Sequence, residues 1–279
     1  MIGFIGQGFI GKNYADDFEE RGHAVVRYSR TRFPETKDRI AKCGTVFIAV
    51  PTPTTPLGFD LSSVRSALTL VGEGHTAVIK STMQVGSTEL LQKEFPNIVV
   101  MHSPEFLREK YAAEDARHPE RNIVGIVDES VRGKAEEVIK LLPKAPYEAV
   151  VSARTAELIK YAGNTLLTTK VIFMNLLYDL ATAEGVKWDE LREALIHDSR
   201  IGTSHADPVH ESGHGGPSGR GAGGHCFIKD FAAFRDMYQS AVPGDLPGLT
   251  VLRALEQKNI DLLRSSGKDL DLLNQVYGV

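Results

Sequence analysis

The chain has 279 residues, 42% of them hydrophobic and 24% charged, with a formal net charge of −4. Those proportions fit a globular protein of one large domain or two, and the slight negative charge argues against a nucleic-acid partner. Two cysteines, Cys43 and Cys226, are too few for a secreted disulfide scaffold, so a reducing cytoplasm is the expected compartment.

The apolar start "MIGFIGQGFIG" lacks the basic flank and cleavage site of a signal peptide. No stretch reaches the roughly 20 uninterrupted apolar residues of a membrane span, so no membrane partner is expected. "MIGFIG", "HAVVRYS", "TVFIAV", "TAVIKST", "NIVVMHS" and "RNIVGIV" are strand-like runs with amphipathic segments between most of them. Strands that are apolar on both faces and separated by helices predict a parallel sheet covered on both sides, here over residues 1–150. Gly6, Gly8, Phe9, Ile10 and Gly11 complete a G-x-G-x-x-G pattern between the first strand and the first helix. That context predicts a dinucleotide site: a tight turn, close approach of the pyrophosphate to the backbone, and a helix N-terminus facing it.

An NAD-specific site carries Asp or Glu at the end of the second strand. Here Tyr28 holds that position, followed by Ser29 and Arg30, with Arg27 and Arg32 close by. The guanidinium fork suits a 2′-phosphate, so both NAD and NADP stay open as cofactors.

Near Ser152 the pattern changes to apolar residues at helical spacing for some thirty residues. Ser152 or Thr155 is the expected cap and Gly185 the expected stop. Residues 151–279 then read as helical: the long helix, "WDELREALIHD", a Gly/His/Ser/Pro-rich loop over 199–226, a helix from "FIKDFAAFRDMYQS", and a last one in "LPGLTVLRALEQKNIDLLRSSG". The predicted fold class is α/β: a Rossmann-like parallel-sheet nucleotide domain, then a long central helix and an all-helical domain. The broad apolar character of that helix predicts a homodimer across it. Lys160 and Asn164, four apart, share one of its faces. Cys226 sits behind four glycines in "GRGAGGHCFIKD", as a nucleophile beside a closely approaching ligand would. Cys43, just before a strand, reads as structural. His205, His210, His214 and His225 lack the spacing of a zinc site, and no metal is expected.

Taken together, "GFIGQGFIG", "FIAVPTPT", "IKSTMQVGST", "HSPEFLREK", "ELIKYAGNTLLTTKVIFMNLL", "DSRIGTSH" and "GRGAGGHCFIKD" resemble the UDP-glucose/GDP-mannose dehydrogenase family, in order and at its approximate spacing. The resemblance implies NAD(P)-dependent oxidation of a nucleotide sugar's primary alcohol to the carboxylate in two hydride transfers, with the intermediate held on Cys226. It implies catalytic roles for Lys160 and Asn164 at the reacting carbon, for Asp230 and Glu105 in proton transfer, and for Thr82 at the water. It extends the cofactor contacts to Val50, Pro51, Thr52, Thr82 and Glu109. As substrate contacts it gives Glu105, Phe106, Leu107, Arg108, Lys160, Asn164, Arg200, Arg220 and Gly223.

There are two departures. Ile228 stands where the family's cysteine motif has proline, and the sequence ends at Val279 before the further α/β domain, roughly a hundred residues or more, that grips the nucleotide in that family. Three alternatives stay open on the sequence: a sugar-nucleotide dehydrogenase completed by another chain, a dehydrogenase for a smaller alcohol, and a silent cofactor-binding dimeric scaffold.

Overall fold

The computed structural model describes residues 1–55, 58–213 and 216–278. The chain divides into two compact units, Met1–Pro53 with Phe59–Lys160, and Thr54–Gly58 with Tyr161–Val279.

The first unit holds β1 (Ile2–Ile5), α1 (Phe9–Glu20), β2 (Val25–Tyr28), α2 (Lys37–Ile40) and β3 (Thr45–Ile48). A short ladder of β4 (Thr54–Thr55) and β5 (Gly58–Phe59) interrupts it. It continues with α3 (Ser62–Leu68), β6 (Thr76–Ile79), α4 (Ser87–Glu94), β7 (Val99–His102), α5 (Ala112–Arg117), β8 (Arg121–Ile126), α6 (Arg132–Leu141) and β9 (Tyr147–Ser152). Seven strands form one sheet in the order β2-β1-β3-β6-β7-β8-β9. All neighbours are parallel except β7 and β8.

The register aligns Tyr28, Ile5, Ile48, Ile79 and His102 in one row. The loops after five strands therefore leave the sheet along one edge, where ligands of open α/β sheets bind. Successive residues of each strand go to opposite faces. Ile5, Ile48 and Ile79 pack into one core layer, and Phe4, Phe47 and Val78 into the other. Phe4, Phe18 and Phe47 form a ring cluster with centroids 5.1–5.3 Å apart.

Two features differ from the sequence reading. β9 is an additional strand, and β8 runs against β7. β9 lies at the sheet edge with Tyr147 and Glu148 exposed, so it lacks the all-apolar signature of the central strands.

The long helix α7 spans Ala153–Ala183, 31 residues. Ser152 Oγ accepts the Thr155 amide hydrogen (3.1 Å), and Gly185 ends the helix at φ +69°. By length and composition alone α7 is apolar enough to cross a membrane. Lys170 interrupts it, with an ammonium that donates to the carbonyls of Ile201 (2.8 Å) and Gly202 (3.2 Å).

The second unit adds α8 (Trp188–Ile196), β10 (Val209–His210), β11 (Gly219–Arg220), α9 (Gly224–Ala241), α10 (Leu246–Ser266) and α11 (Leu270–Tyr277). The region is thus helical apart from its short ladders. Ile228, Ile260, Leu263, Leu272 and Leu273 make a core joining α9, α10 and α11. The sequence pattern ends its last helix at "RSSG" and gives none beyond it, so α11 is an additional element. Gly267, at φ +70°, breaks it apart from α10.

Candidate active site

At the edge where β1, β2 and β3 end, a cleft of about 1070 Å³ opens. Gly6, Gly8, Phe9, Ile10, Tyr28, Ser29, Arg30, Val50 and Pro51 line it. Gly11, Thr52, Thr82 and Glu109 do not. A side chain at Gly6 would meet the Ala49 carbonyl oxygen at 2.0 Å, and one at Gly11 the Gly6 carbonyl oxygen at 2.0 Å. Gly8 faces open space, with nothing within 4 Å of its added Cβ. Two glycines therefore let strand and helix pack, and the second leaves bare backbone toward the cleft where α1 begins. This arrangement fits a dinucleotide pyrophosphate. Thr52 is buried behind the cleft wall, its hydroxyl donating to the Thr82 carbonyl (2.8 Å).

A second group of residues lies after β6 and β7. Glu105 and Lys160 are both buried, and the ammonium donates to the Glu105 carboxylate (2.8 Å) and to its carbonyl (2.9 Å). The other carboxylate oxygen accepts the Leu107 amide hydrogen (2.8 Å). Lys160 is thus a buried, paired ammonium and not a solvent-exposed helix charge. The first turns of α7 are fixed by Glu157, whose carboxylate accepts from the amides of Gly86 (2.6 Å) and Thr88 (2.7 Å) and from the Thr88 hydroxyl (2.6 Å). Burial raises the Glu157 carboxyl above its usual range. Lys80 is 3% exposed, with Nζ 3.2 Å from Ser103 Oγ and 4.4 Å from the Tyr14 ring centroid. Burial lowers its amine to about 7, against the pull of Glu105. Burial likewise pushes His102 down to about 3.

The third group of residues is in the second unit. Cys226 lies in the first turn of α9, half-buried. The expected loop to residue 226 ends earlier, because α9 starts at Gly224. The Gly224 amide donates to the Asp269 carboxylate (2.7 Å), which also accepts from Ser212 Oγ (2.5 Å). Asp230, one turn after Cys226, is buried and accepts from Asn164 Nδ2 (2.6 Å) and Lys229 Nζ (2.8 Å).

The preceding loop is held from below. Lys268, fully buried, donates to the Gly221 carbonyl (3.0 Å), and Asn259 both donates to and accepts from the Ala222 backbone (3.0 and 2.7 Å). A Cβ on Gly223 would lie 2.0 Å from Asp269 Oδ2. The close approach that this glycine permits is to the chain's own Asp269.

The other expected contacts are dispersed. Arg108 is exposed, and Asp115 accepts from both its guanidinium (2.6 Å) and its amide (2.7 Å). Phe106 lies under the Arg121 guanidinium (3.8 Å), and Leu107 is half-buried. Arg200 is exposed and paired with Asp198. Arg220 is tied to Asn175 (2.8 Å) and Asp179 (2.7 Å). Glu109 is exposed in a short 3-10 turn. Cys43 is buried against α2, its thiol 3.6 Å from the Arg39 carbonyl. Among the described residues no three His, Cys, Asp or Glu side chains gather into a metal site. His214 lies outside the described residues.

Sequence reasoning missed Lys80, Glu157, Lys268 and Asp269. Only Lys80 left a signal, a charge set directly against the end of an all-apolar strand.

Residues 26–142 match the NAD binding domain of the UDP-glucose/GDP-mannose dehydrogenase family, and residues 154–259 match its central domain. The UDP-glucose 6-dehydrogenase of Rhizobium meliloti is 34% identical over 216 residues, 71% of this chain and 47% of that protein. The chain thus spans about half the length of that curated relative. A UDP-glucose dehydrogenase structure from the archaeon Pyrobaculum islandicum superposes with a TM-score of 0.79 at 29% identity, covering 99% of this chain and 71% of the other. The 3-hydroxyisobutyrate dehydrogenase of Mycobacterium tuberculosis shares the fold, with a TM-score of 0.72 at 17% identity over 99% of this chain and 98% of its own.

Proposed function

Because the chain belongs to the UDP-glucose/GDP-mannose dehydrogenase family, we propose that it oxidises the primary alcohol of a nucleotide sugar, UDP-glucose or a close relative, to the carboxylate. The observation that carries this is Cys226 in the first turn of an 18-residue helix, with Asp230 one turn further on and Asn164 bonded to it. A helix N-terminus favours negative charge, and so the nucleophilic thiolate.

The cleft lined by Gly6, Gly8 and Tyr28 would hold the nicotinamide dinucleotide, which would supply one hydride acceptor per molecule, so that the two half-reactions would use two oxidised molecules in turn. In the first half-reaction, the alcohol gives up a proton and a hydride and becomes an aldehyde. The Cys226 thiolate adds to its carbonyl carbon, making a thiohemiacetal. Loss of a second hydride and the hydroxyl proton leaves a thioester. Water then adds, the C–S bond breaks, and carboxylate and thiolate separate.

Lys160 and Asn164 donate toward oxygen as its charge develops. The Glu105 carboxylate fixes the lysine's position and takes part in proton transfer at hydrolysis, with Asp230 as the second acid–base group and Thr82 holding the water. By the family's pattern Glu105, Phe106 and Leu107 in the first unit, and Gly223 in the second, are the expected substrate contacts. In this reading Arg108, Arg200 and Arg220 exchange their present carboxylate partners for substrate phosphate or remain structural. The reactive thiol suits a reducing cytoplasm.

Replacing the nucleophile tests the chemistry directly. Cys226→Ser is expected to cut overall turnover by about a thousandfold or more while cofactor binding survives. Turnover within a few-fold of the parent would remove Cys226 from the mechanism.

We further propose a homodimer. On α7, Leu166 (69% exposed), Phe173 (60%) and Leu180 (58%) recur every seven residues, with Leu176 between the last two. A heptad stripe of large apolar side chains matches a second helix of the same kind.

A further inference from the structure

The dinucleotide cleft is more cationic than an unmodified ribose requires. We propose that it is built for a dinucleotide phosphorylated on the adenosine 2′-hydroxyl, with Arg30 as the principal contact. This deepens the dehydrogenase reading and rests on it for the nicotinamide half of the ligand.

Two ribose hydroxyls are donors, and a site for them supplies a carboxylate acceptor at the end of the second strand. β2 ends instead at Tyr28, which lines the cleft, and among the described residues no Asp or Glu lines it. Glu35 and Asp38, the next acids along the chain, are exposed outside it. A phosphate reverses the demand, from acceptors to donors and positive charge.

The cations near the cleft sort by what they already hold. Arg27, which the sequence placed with the others, does not line the cleft: its guanidinium pairs with Asp16 (2.7 Å) and Glu19 (2.7 Å) of α1. Arg65 lines it but is engaged twice by Glu94 (2.7 and 2.9 Å). Arg32 donates one N–H to the Gln7 carbonyl (3.0 Å), tying the turn after β2 to the glycine loop. Arg30 and Lys37 line the cleft, exposed, with no ion pair among the described residues.

The turn itself is prepared. Ser29 Oγ accepts the Arg32 amide hydrogen (3.0 Å), which closes the turn around Arg30 and leaves the serine hydroxyl hydrogen to donate. A planar guanidinium, a hydroxyl and two further cations around one dianion form the charge-assisted pattern that a 2′-phosphate fits and an unmodified diol does not.

Calorimetry on the full chain separates the possibilities, with 5′-ADP and 2′,5′-ADP as probes at low and high salt. We expect the 2′-phosphate to tighten binding about tenfold or more, as charge-assisted hydrogen bonds of ordinary strength would. The gain should shrink as salt rises. Arg30→Ala should bring the affinity ratio close to one, and Arg27→Ala, outside the cleft, should keep it. Equal affinity for the two probes in the parent protein, or tighter 5′-ADP, overturns the 2′-phosphate site while the dinucleotide site stands. Binding of neither probe removes both. No sugar is present, so a failure of the proposed oxidation leaves this readout untouched.

Discussion

Lys80 is an amine in an environment that disfavours its charge. Its value of about 7 compares with 10.5 for a solvated lysine, and the cause is burial. Between those values the unfolded chain keeps a proton that the folded chain has released. Stability therefore rises with pH from about 7 to about 10.5, and the lysine costs most below pH 7. Lys80→Met should raise the melting temperature at pH 6 more than at pH 10, by a free-energy difference on the order of 3–5 kcal/mol at most. A larger gain at pH 10 than at pH 6 would contradict the assignment. Residues of this kind are hard to see in a sequence. Cys226, Lys160 and Asn164 stand out by chemistry and spacing, whereas Glu105 stands out only through the family resemblance. Lys80 leaves only the faint signal of a charge at the end of a strand, and Asp269 acts through bonds to distant groups, which no local pattern encodes.

At the scale of elements, the central strands and α7 were legible because burial on both faces, or at helical spacing, writes a strong pattern. β9 was not, since an edge strand needs only half of that pattern. The start of α9 was missed for another reason. Glycine has poor helix propensity, and the start is set from outside, by the Asp269 carboxylate on the Gly224 amide. Asp269 is buried at φ +54° and also accepts from Ser212, so it joins the segment after α10 to the turn that carries Cys226. Asp269→Ala leaves the Gly224 amide and the Ser212 hydroxyl without their acceptor, at a cost of about 1–3 kcal/mol. We expect a lower melting temperature and a fall in kcat of about tenfold or more, with KM for the cofactor little changed. An unchanged kcat at full folding would show that the clamp does not position the nucleophile.

For the whole molecule, the exposed stripe on α7 and the proposed oxidation make separate demands. Phe173→Glu places a charge in the centre of the stripe and should convert a dimer to a monomer by sedimentation or light scattering. A parent protein that already runs as a monomer at micromolar concentration would remove the dimer. The Rossmann-like sheet and the helical second unit were legible as a class, whereas the two-residue ladders and α11 depend on packing that the sequence does not announce. The chemistry is tested most directly by following reduced cofactor at 340 nm with limiting UDP-glucose and excess NAD or NADP. Two equivalents of reduced cofactor per sugar, with UDP-glucuronate as product, is the result the four-electron mechanism predicts. One equivalent with aldehyde released, or none from folded and cofactor-bound protein, would contradict it.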